Sequence, residues 1–162
     1  MAIARFEKVS FDQFRMDMEK LGYGLESIQK AYEKIVLPKR STTGSAGYDF
    51  VSPVDFTLSS KSQIIPTGIR AKINQDYVLV LFPRSSIGFK YGGQLDNTAG
   101  IIDSDYYDSQ NEGHILVKIH SQKTAEIHAG DRFVQGLFLA YGLAEEEEVE
   151  TKRQGGIGST NQ

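Results

Sequence analysis

The stretch "RFVQGLFLAY" (132–141) decides the fold class, because its aromatic and branched residues favour a β-strand. Two further runs, "YVLVLF" (77–82) and "HILVKI" (114–119), have a similar character, and "IPTGIRAKI" (65–73) predicts another strand pair or a turn that enters a strand. Turn residues separate these runs, and no helical periodicity intervenes after Ile35. The sequence therefore predicts an all-β fold, either an antiparallel sandwich or a jelly roll.

Residues 1–34 follow a different pattern. Apolar residues recur there at the three- and four-residue intervals of one helical face: Phe11, Phe14, Met18 and Leu21. Ser10 followed by Gln13 predicts a capping box at the start of this helix, and a second short helix is predicted from Leu25 onward. We expect these helices to form an extension that packs on the β core, and not a separate binding module.

The C-terminal residues differ again. We expect the β core to cover residues 35–144, and an acidic linker with a glycine-rich arm to cover residues 145–162. The linker "EEEEVE" (145–150) is a run of charge, which is usually solvated. In the arm, "GGIGST" (155–160) resembles a phosphate loop only in part, because it has no lysine and no room for a following helix. A glycine-rich segment that closes on phosphate groups is compatible with this composition.

The composition excludes several classes of function. None of the 162 residues is cysteine, which excludes disulfides, thiolate metal sites and cysteine nucleophiles. The 3 histidines are scattered, so we expect no histidine-built metal site. The formal net charge of −3 argues against a general nucleic-acid-binding protein. Because the apolar runs are too short to cross a bilayer and the N-terminus lacks a signal-peptide core, we expect a cytoplasmic protein with neither a membrane nor a nucleic-acid partner.

Four polar segments stand where a β protein places its loops. They are "GSAGYDF" (44–50), "PRSSIG" (83–88), "LDNTAGIIDSDYYD" (95–108) and "AGDRFVQGLF" (129–138). The second offers an arginine, two hydroxyls and backbone donors, which phosphate oxygens need, although a strand-end turn with a surface arginine fits equally well. The third places Asp103 after two isoleucines, where a partly desolvated carboxylate can act in acid–base chemistry or bind the water of a metal ion. Taken singly, none of the four decides a function.

Taken in order, these segments and the arm resemble the five motifs of the homotrimeric dUTPase family, over roughly residues 35–162. The corresponding motifs are "SAGYDF", "PRSSIG", "NTAGIIDSDYY", "GDRFVQ" and "GGIGST". The resemblance implies a β jelly-roll (β-clip) subunit, three of which share active sites at their interfaces. It also implies hydrolysis of dUTP to dUMP and pyrophosphate with Mg²⁺ on the triphosphate. That reaction keeps uracil out of DNA and supplies dUMP for dTMP synthesis.

The resemblance also implies roles for individual residues. Asp103 is similar to the aspartate that orients the attacking water, and Asp49 to the carboxylate that holds waters of the Mg²⁺ ion without binding the metal directly. Tyr106 is similar to the aromatic residue beneath the deoxyribose, which leaves no space for a 2′-hydroxyl. The hairpin that reads uracil corresponds to Asn97, Gly100 and Ile102. The triphosphate cradle corresponds to Arg84, Ser85, Ser86, Gly88 and Gln135.

By the same resemblance, the arm reaches another subunit's nucleotide and wraps its phosphates. Its candidate residues are Arg153, Gly156, Ile157, Gly158, Ser159 and Thr160. Ile157 stands where the family arm has a phenylalanine, so a smaller apolar contact replaces an aromatic stack on uracil. The family's arm arginine falls at Lys152, and a shift in register would let the neighbouring Arg153 serve instead. We expect weaker closure of the arm and not a loss of chemistry.

Two rival functions have less support from the residues. A dCTP deaminase shares this fold and a similar arginine–serine segment, but it needs a glutamate on the strand after the aspartate hairpin, where this chain has Lys118. A catalytically weak dUTP-binding sensor is favoured only by the altered arm. A pure binding protein has no need of a water-orienting aspartate, whereas Asp103 is present together with the other motif residues. The sequence therefore favours catalysis.

Overall fold

The computed structural model describes residues 2–145 and residue 155 of the chain. Its strands in that part are Ala4–Lys8 (β1), Lys39–Arg40 (β2), Tyr48–Val51 (β3), Phe56–Leu58 (β4), Gln63–Pro66 (β5), Ile69–Ile73 (β6), Tyr77–Pro83 (β7), Gln94–Leu95 (β8), Gly100–Ile102 (β9), Leu116–His120 (β10), Ala125–Ile127 (β11) and Arg132–Ala140 (β12). The α-helices are Phe11–Lys20 (α1), Leu25–Glu33 (α2) and Ser85–Tyr91 (α3), and a 3-10 helix spans Ser104–Asp108.

The described strands pair antiparallel in four sheets. The largest sheet has the order β2-β3-β12-β7-β9. A three-stranded sheet has the order β5-β10-β8, and two small sheets pair β1 with β6 and β4 with β11. The architecture is therefore mostly β and antiparallel, with helices near the N-terminus, as the sequence predicts.

The stretch 132–141 supplies the central strand of the largest sheet. β12 pairs with β3 on one edge and with β7 along most of the other. Its residues Phe133 and Val134 are both fully buried, because the register shifts at a bulge near the start of the strand. Gly136 lets a neighbouring side chain approach closely, since a Cβ there would lie 2.7 Å from the Leu79 side chain. β12 thus joins the two strands that carry the loops of the candidate site.

The N-terminal segment contains both predicted helices and, in addition, strand β1, which the sequence did not predict. β1 pairs with β6 over its whole length, so main-chain hydrogen bonds tie this segment to the β core. The sequence of β1, "ARFEK", contains a single large apolar residue, Phe6, and therefore gives no alternating pattern. The helices contribute Phe14, Met18 and Ile28 to the same buried cluster as the core strands.

The start of α1 confirms half of the predicted capping box. The Ser10 hydroxyl accepts a hydrogen bond from the Gln13 N–H at 3.1 Å. The reciprocal bond does not form, because the Gln13 amide donates to Asp17 at 2.8 Å. Instead, the Ser10 N–H donates to the Glu112 carboxylate at 2.8 Å. The helix is thus capped by a residue 102 positions away, which no local pattern indicates.

Two segments have more structure than the sequence indicates. The segment "PRSSIG" (83–88) follows strand β7 and opens helix α3, which begins at Ser85 and ends at Tyr91; the C-cap is Gly92, with a left-handed φ of +63°. The helix is only seven residues long, too short for a periodic signal. The stretch 65–73 fits the second of its two predicted alternatives, because a short connection with Gly68 at a φ of +71° leads into β6. The flanking strands do not pair with each other, since β5 pairs with β10 and β6 pairs with β1. Among the described residues, no helix is long and apolar enough to span a membrane.

Candidate active site

Two surface pockets contain most of the candidate residues. The Asp49 pocket has a volume of about 420 Å³ and is lined by Ser41, Ser45, Ala46, Gly47, Asp49, Arg84, Ser85, Ser86 and Gln135. The Asn97 pocket has a volume of about 550 Å³ and is lined by Ile64, Leu81, Leu95, Asp96, Asn97, Ala99, Gly100, Ile101, Ile102, Tyr106, Leu116, Val117 and Lys118. Of the described residues, none lines both pockets.

A carboxylate held by two guanidinium groups forms the centre of the Asp49 pocket. The Asp49 side chain is 11% exposed, and its Oδ1 lies 2.9 Å from Arg84 Nε. Its Oδ2 lies 3.1 Å from Arg132 Nη1 and accepts a hydrogen bond from the Ser41 hydroxyl at 2.6 Å. A carboxylate so far removed from water requires such partners. Because an ionised carboxylate can accept about four hydrogen bonds, these three contacts leave it capacity for a further donor.

The sheet register brings Gln135 to the same pocket. Gln135 on β12 stands opposite Asp49 on β3 and opposite Phe82 on β7. The loop before β3 lies against the Gln135 amide, since a Cβ on Gly47 would be 2.8 Å from its Oε1. A larger residue at position 47 would therefore clash with the Gln135 amide, which lines the same pocket as the Asp49 carboxylate.

Helix α3 begins at the mouth of the Asp49 pocket. Arg84 is its N-cap, and Ser85 and Ser86 are its first two residues. The amides of a first helical turn have no acceptor within the helix, so hydroxyls, amides and a guanidinium converge here as donors suited to an anion. Gly88 does not line the pocket, and its N–H donates to the Arg84 carbonyl at 3.0 Å.

A tight turn shapes the Asn97 pocket. The Thr98 N–H donates to the Leu95 carbonyl at 2.9 Å, and Thr98 adopts a left-handed φ of +65°. This turn places Asn97 between β8 and β9, and β9 then pairs with β7, with Gly100 opposite Leu81. A Cβ on Gly100 would lie 3.2 Å from the Leu81 Cβ. Apolar walls with a polar turn at one end suit a planar heterocycle.

Tyr106 forms one wall of the Asn97 pocket. Its ring is buried, its hydroxyl donates to the His114 carbonyl at 2.8 Å, and it accepts from Asn111 Nδ2 at 2.8 Å. Asp103 is the N-cap of the 3-10 helix, and its carbonyl accepts the Tyr106 N–H at 3.2 Å. Asp103 is half-buried and directly follows β9, so it lies beside the pocket although it does not line it.

The rim of the Asn97 pocket carries a charged pair. Asp96 Oδ2 lies 3.2 Å from Lys118 Nζ, and Asp96 Oδ1 lies 2.7 Å from His120 Nδ1. The hydrogen bond with His120 is the main reason that the pKa of Asp96 lies below its ordinary value, with the Ser62 hydroxyl and Lys118 acting in the same direction. The rim therefore keeps a carboxylate ionised beside an ammonium group.

The structure thus divides the candidate residues into two groups. Asp49, Arg84, Ser85, Ser86 and Gln135 share one pocket; Asn97, Gly100, Ile102 and Tyr106 share the other. Within residues 2–145, no group of three or more histidine, aspartate or glutamate side chains is placed to hold a metal ion. The arm candidates lie outside the described residues: Arg153, Gly156, Ile157, Gly158, Ser159 and Thr160.

Sequence reasoning missed Ser41 and the rim residue Asp96. Ser41 follows the two-residue strand β2, which pairs with β3 and so brings its hydroxyl to Asp49. A strand of two residues leaves no periodic signal, so nothing in the sequence indicated this contact. Asp96 directly precedes Asn97, and its carboxylate was a detectable signal within the quoted motif.

Comparisons with known proteins agree on one family. The sequence matches the dUTPase family over residues 33–161. The deoxyuridine 5′-triphosphate nucleotidohydrolase of Lactococcus lactis is 39% identical over 132 residues, which cover 78% of this chain and 88% of that protein. A dUTPase structure from Streptococcus mutans is 33% identical and covers 86% of this chain and 98% of its own, with a TM-score of 0.64. The dUTPase of phage phi11 of Staphylococcus aureus, at 18% identity and a TM-score of 0.65, shares the fold.

Proposed function

The chain belongs to the dUTPase family and hydrolyses dUTP, and we propose that each active site joins the Asn97 pocket of one subunit to the Asp49 pocket of another in a homotrimer. One observation carries this proposal: the base-type pocket and the anion-type pocket share no lining residue within the described chain. A nucleoside triphosphate needs both at once. A closed symmetric trimer repeats the same contact three times and so completes every site.

In this proposal, the Asn97 pocket holds deoxyuridine. Asn97 and the backbone of Gly100 and Ile102 read the donor–acceptor pattern of uracil, which rejects cytosine because mispaired buried polar groups are costly. Tyr106 lies beneath the deoxyribose, and its ring is fixed by two hydrogen bonds of its hydroxyl. A fixed ring leaves no room for a 2′-hydroxyl, so the pocket distinguishes dUTP from UTP.

Asp103 orients the attacking water. The water adds to the α-phosphorus in line with the bond to the β-phosphate, that bond breaks, and pyrophosphate leaves. A carboxylate directly after the pocket-lining strand is suitably placed to accept a hydrogen bond from this water and to receive its proton. Partial burial of Asp103 limits competing solvation.

The Asp49 pocket holds the triphosphate. Arg84 offers its guanidinium, Ser85 and Ser86 offer hydroxyls and first-turn amides, and Gln135 offers its amide. Mg²⁺ bound to the triphosphate would neutralise charge that develops on the phosphate oxygens. The residues present fit such an ion through its hydration shell: both oxygens of Asp49 already have partners, and the remaining acceptor capacity suits a water and not a direct bond to the metal.

We also propose roles for the core and the arm. The antiparallel sheets form a jelly-roll subunit, and residues 35–144 act as its core. The arm of another subunit, with Arg153, Ile157, Ser159 and Thr160, closes over the phosphates and excludes water. The activity keeps uracil out of DNA and supplies dUMP for dTMP synthesis.

The proposal is tested by pyrophosphate release with Mg²⁺ from dUTP, dCTP, dTTP and UTP at equal concentration. We expect rapid release from dUTP alone. Asp103→Asn should lower turnover by about 10²–10⁴-fold while dUTP binding, measured by calorimetry, persists. The control is Asp105→Asn, which removes a neighbouring exposed carboxylate and should stay near the wild-type rate. Binding of dUTP with turnover no faster than that of Asp103→Asn would favour a sensor, and ammonia release from dCTP would favour a deaminase.

A further inference from the structure

A buried polar relay connects the N-terminal segment to the loop that carries the proposed catalytic residues. Asp17 lies on α1, and its Oδ2 is 2.7 Å from Nδ1 of His114. His114 has no exposed surface, and the Asp17 side chain is 8% exposed. The two residues are 97 positions apart in the sequence. Burying a carboxylate is costly, so this contact calls for an explanation beyond general packing.

The hydrogen-bond pattern assigns the tautomer of His114. The Gly68 N–H donates to His114 Nε2 at 2.9 Å, so this nitrogen carries no proton. The ring hydrogen of the neutral imidazole therefore sits on Nδ1 and donates to Asp17. The same Asp17 oxygen also accepts from the Gln13 amide at 2.8 Å. Both ring nitrogens are thus engaged, and the imidazole is held between helix α1 and the turn before β6.

The main chain of His114 continues the relay to the Asn97 pocket. Its carbonyl oxygen accepts the Tyr106 hydroxyl at 2.8 Å. Tyr106 lines the pocket, and Asp103 caps the short helix that carries it. Fixing the His114 ring consequently fixes the carbonyl against which the Tyr106 hydroxyl is aligned.

Two further contacts join the same segments. The Glu112 carboxylate accepts from the Ser10 N–H and hydroxyl at 2.8 and 2.6 Å, at the N-terminus of α1. Glu112 adopts a left-handed φ of +57° to do so, which a non-glycine residue adopts only at a cost. Near β1, the Tyr107 hydroxyl donates to Glu7 at 2.6 Å. The segment 104–114 is therefore held at three points by Glu7, Ser10 and Asp17.

We propose that the N-terminal segment is a positioning element of the active site, in which Asp17 acts through buried His114 to fix Tyr106 for discrimination between dUTP and UTP. This inference rests on the proposed function, in which Tyr106 excludes the 2′-hydroxyl. Asp17 is a positioning residue, because it touches neither substrate nor reacting atoms. Its loss should move the Tyr106 ring without removing any group that contacts nucleotide.

The test compares kcat/KM for dUTP with kcat/KM for UTP in variants of the full chain. Their ratio does not depend on the fraction of active enzyme, so a loss of folded protein alone leaves it unchanged. Asp17→Ala removes the acceptor of the His114 N–H and should lower the dUTP/UTP ratio by about ten- to a hundredfold, since a small remote displacement can have that effect. Asp17→Asn retains an acceptor oxygen and should keep the ratio near the wild-type value.

Met18→Ala is the matched control. Met18 is the next residue on α1 and is fully buried, and its truncation leaves a cavity while removing none of the relay's hydrogen bonds. Met18→Ala should lower the melting temperature and leave the dUTP/UTP ratio unchanged.

If Asp17→Ala does not fold, Gln13→Ala takes its place, because it removes another donor to the same Asp17 oxygen. Gln13→Ala should also lower the dUTP/UTP ratio.

Tyr106→Ala separates the positioning role of Asp17 from the sugar discrimination by Tyr106. If it lowers the dUTP/UTP ratio while the relay variants do not, the positioning role is refuted and the proposed function stands. If Tyr106→Ala itself leaves the ratio unchanged, the sugar discrimination assigned in the proposed function is wrong, and the positioning role is contradicted with it. An equal fall of the ratio in Asp17→Ala and Met18→Ala would show that the relay has no specific part.

Discussion

At the scale of the residue, Asp49 shows how one carboxylate organises several donors. Arg84, just after β7, and Arg132, the first residue of β12, approach its two oxygens at 2.9 and 3.1 Å. The two arginines differ in environment, because the Arg84 side chain is 27% exposed and the Arg132 side chain 49%. Only Arg84 lines the pocket. We therefore propose that Arg84 binds substrate and that Arg132 supports Asp49.

Substitution of each arginine by alanine separates these roles. Arg84→Ala should lower kcat for dUTP by about 10²–10³-fold, as expected for the loss of a donor to charge that develops in the transition state. Arg132→Ala removes a half-exposed ion pair worth about 0–1 kcal/mol and should lower kcat less than tenfold. Steady-state pyrophosphate release from the two variants provides the comparison. Equal losses would contradict the assignment.

The sequence names candidate site residues, but it does not indicate their contacts. Asp103, Arg84 and Tyr106 belong to short motifs whose chemistry is local, so one chain is enough to detect them. The pairs Asp17–His114 and Ser41–Asp49 depend instead on strand register and helix docking. For a lone buried histidine, or a serine in a polar run, the neighbouring sequence does not predict the hydrogen-bond partner.

At the scale of the element, the long strands could be predicted and the short ones could not. β7 and β12 have seven and nine residues, long enough for runs of β-forming residues to appear. β2 and β8 have two residues each, and tertiary pairing alone defines them. For the same reason, helix α3 was not predicted. These three short elements nevertheless shape both pockets, so the site is less predictable than the core.

The turn that follows the 3-10 helix depends on Gly113. Its φ is +70°, and a Cβ there would lie 2.7 Å from the Tyr106 carbonyl oxygen and 2.7 Å from the Tyr107 Cα. Because backbone atoms cannot give way, Gly113→Ala should lower the free energy of unfolding by about 3 kcal/mol or more. Gly22 has a similar φ of +87° with nothing within 4 Å.

Urea unfolding of the two glycine variants makes the comparison. Gly22→Ala carries only the strain of a left-handed alanine and should cost about 1–2 kcal/mol. An equal cost for Gly113→Ala would mean that the turn relaxes away from Tyr106 and Tyr107. In that case, the tight packing of this turn would not contribute to the site.

The docking of the N-terminal segment should weaken in acid. Burial opposes ionisation of Asp17, but hydrogen bonds from His114 and Gln13 outweigh it, so the pKa of Asp17 lies below its ordinary 3.8. Burial likewise opposes ionisation of Glu112, and its bonds with Ser10 lower the pKa of Glu112 below 4.5. A group whose pKa is lowered by folding stabilises the fold above its unfolded pKa, and this contribution is lost as the pH falls through the folded pKa.

Urea unfolding measured from pH 3 to pH 7 tests this dependence. The free energy of unfolding should be nearly constant above about pH 5 and should fall below about pH 4. Asp17→Asn should be less stable at neutral pH and should show a shallower fall in acid, because one of the titrating groups is gone. If the free energy of unfolding of Asp17→Asn falls in acid as steeply as that of the wild-type chain, Asp17 does not contribute to the acid dependence.

At the scale of the whole molecule, one chain carries two pockets that share no lining residue among the described residues. The Asn97 pocket has apolar walls and no arginine, whereas the Asp49 pocket has anion donors and little apolar surface. β7 connects them, since Leu81 lines the first and Arg84, just beyond the strand, lines the second. The sequence indicated the shared site only through its resemblance to a trimeric family, because composition and periodicity do not report which subunit completes a pocket.

Subunit mixing tests the shared site most directly. Arg84→Ala and Asp103→Asn chains, differently tagged and co-expressed, are purified through both tags and assayed for pyrophosphate release from dUTP. If each site draws its two pockets from different subunits, every mixed trimer contains one site of three with both halves intact, so the doubly purified assemblies should have about one third of the wild-type rate. Each variant alone should remain nearly inactive. Mixed assemblies no more active than the single variants would contradict the account, because they would place Arg84 and Asp103 of the same chain in one site.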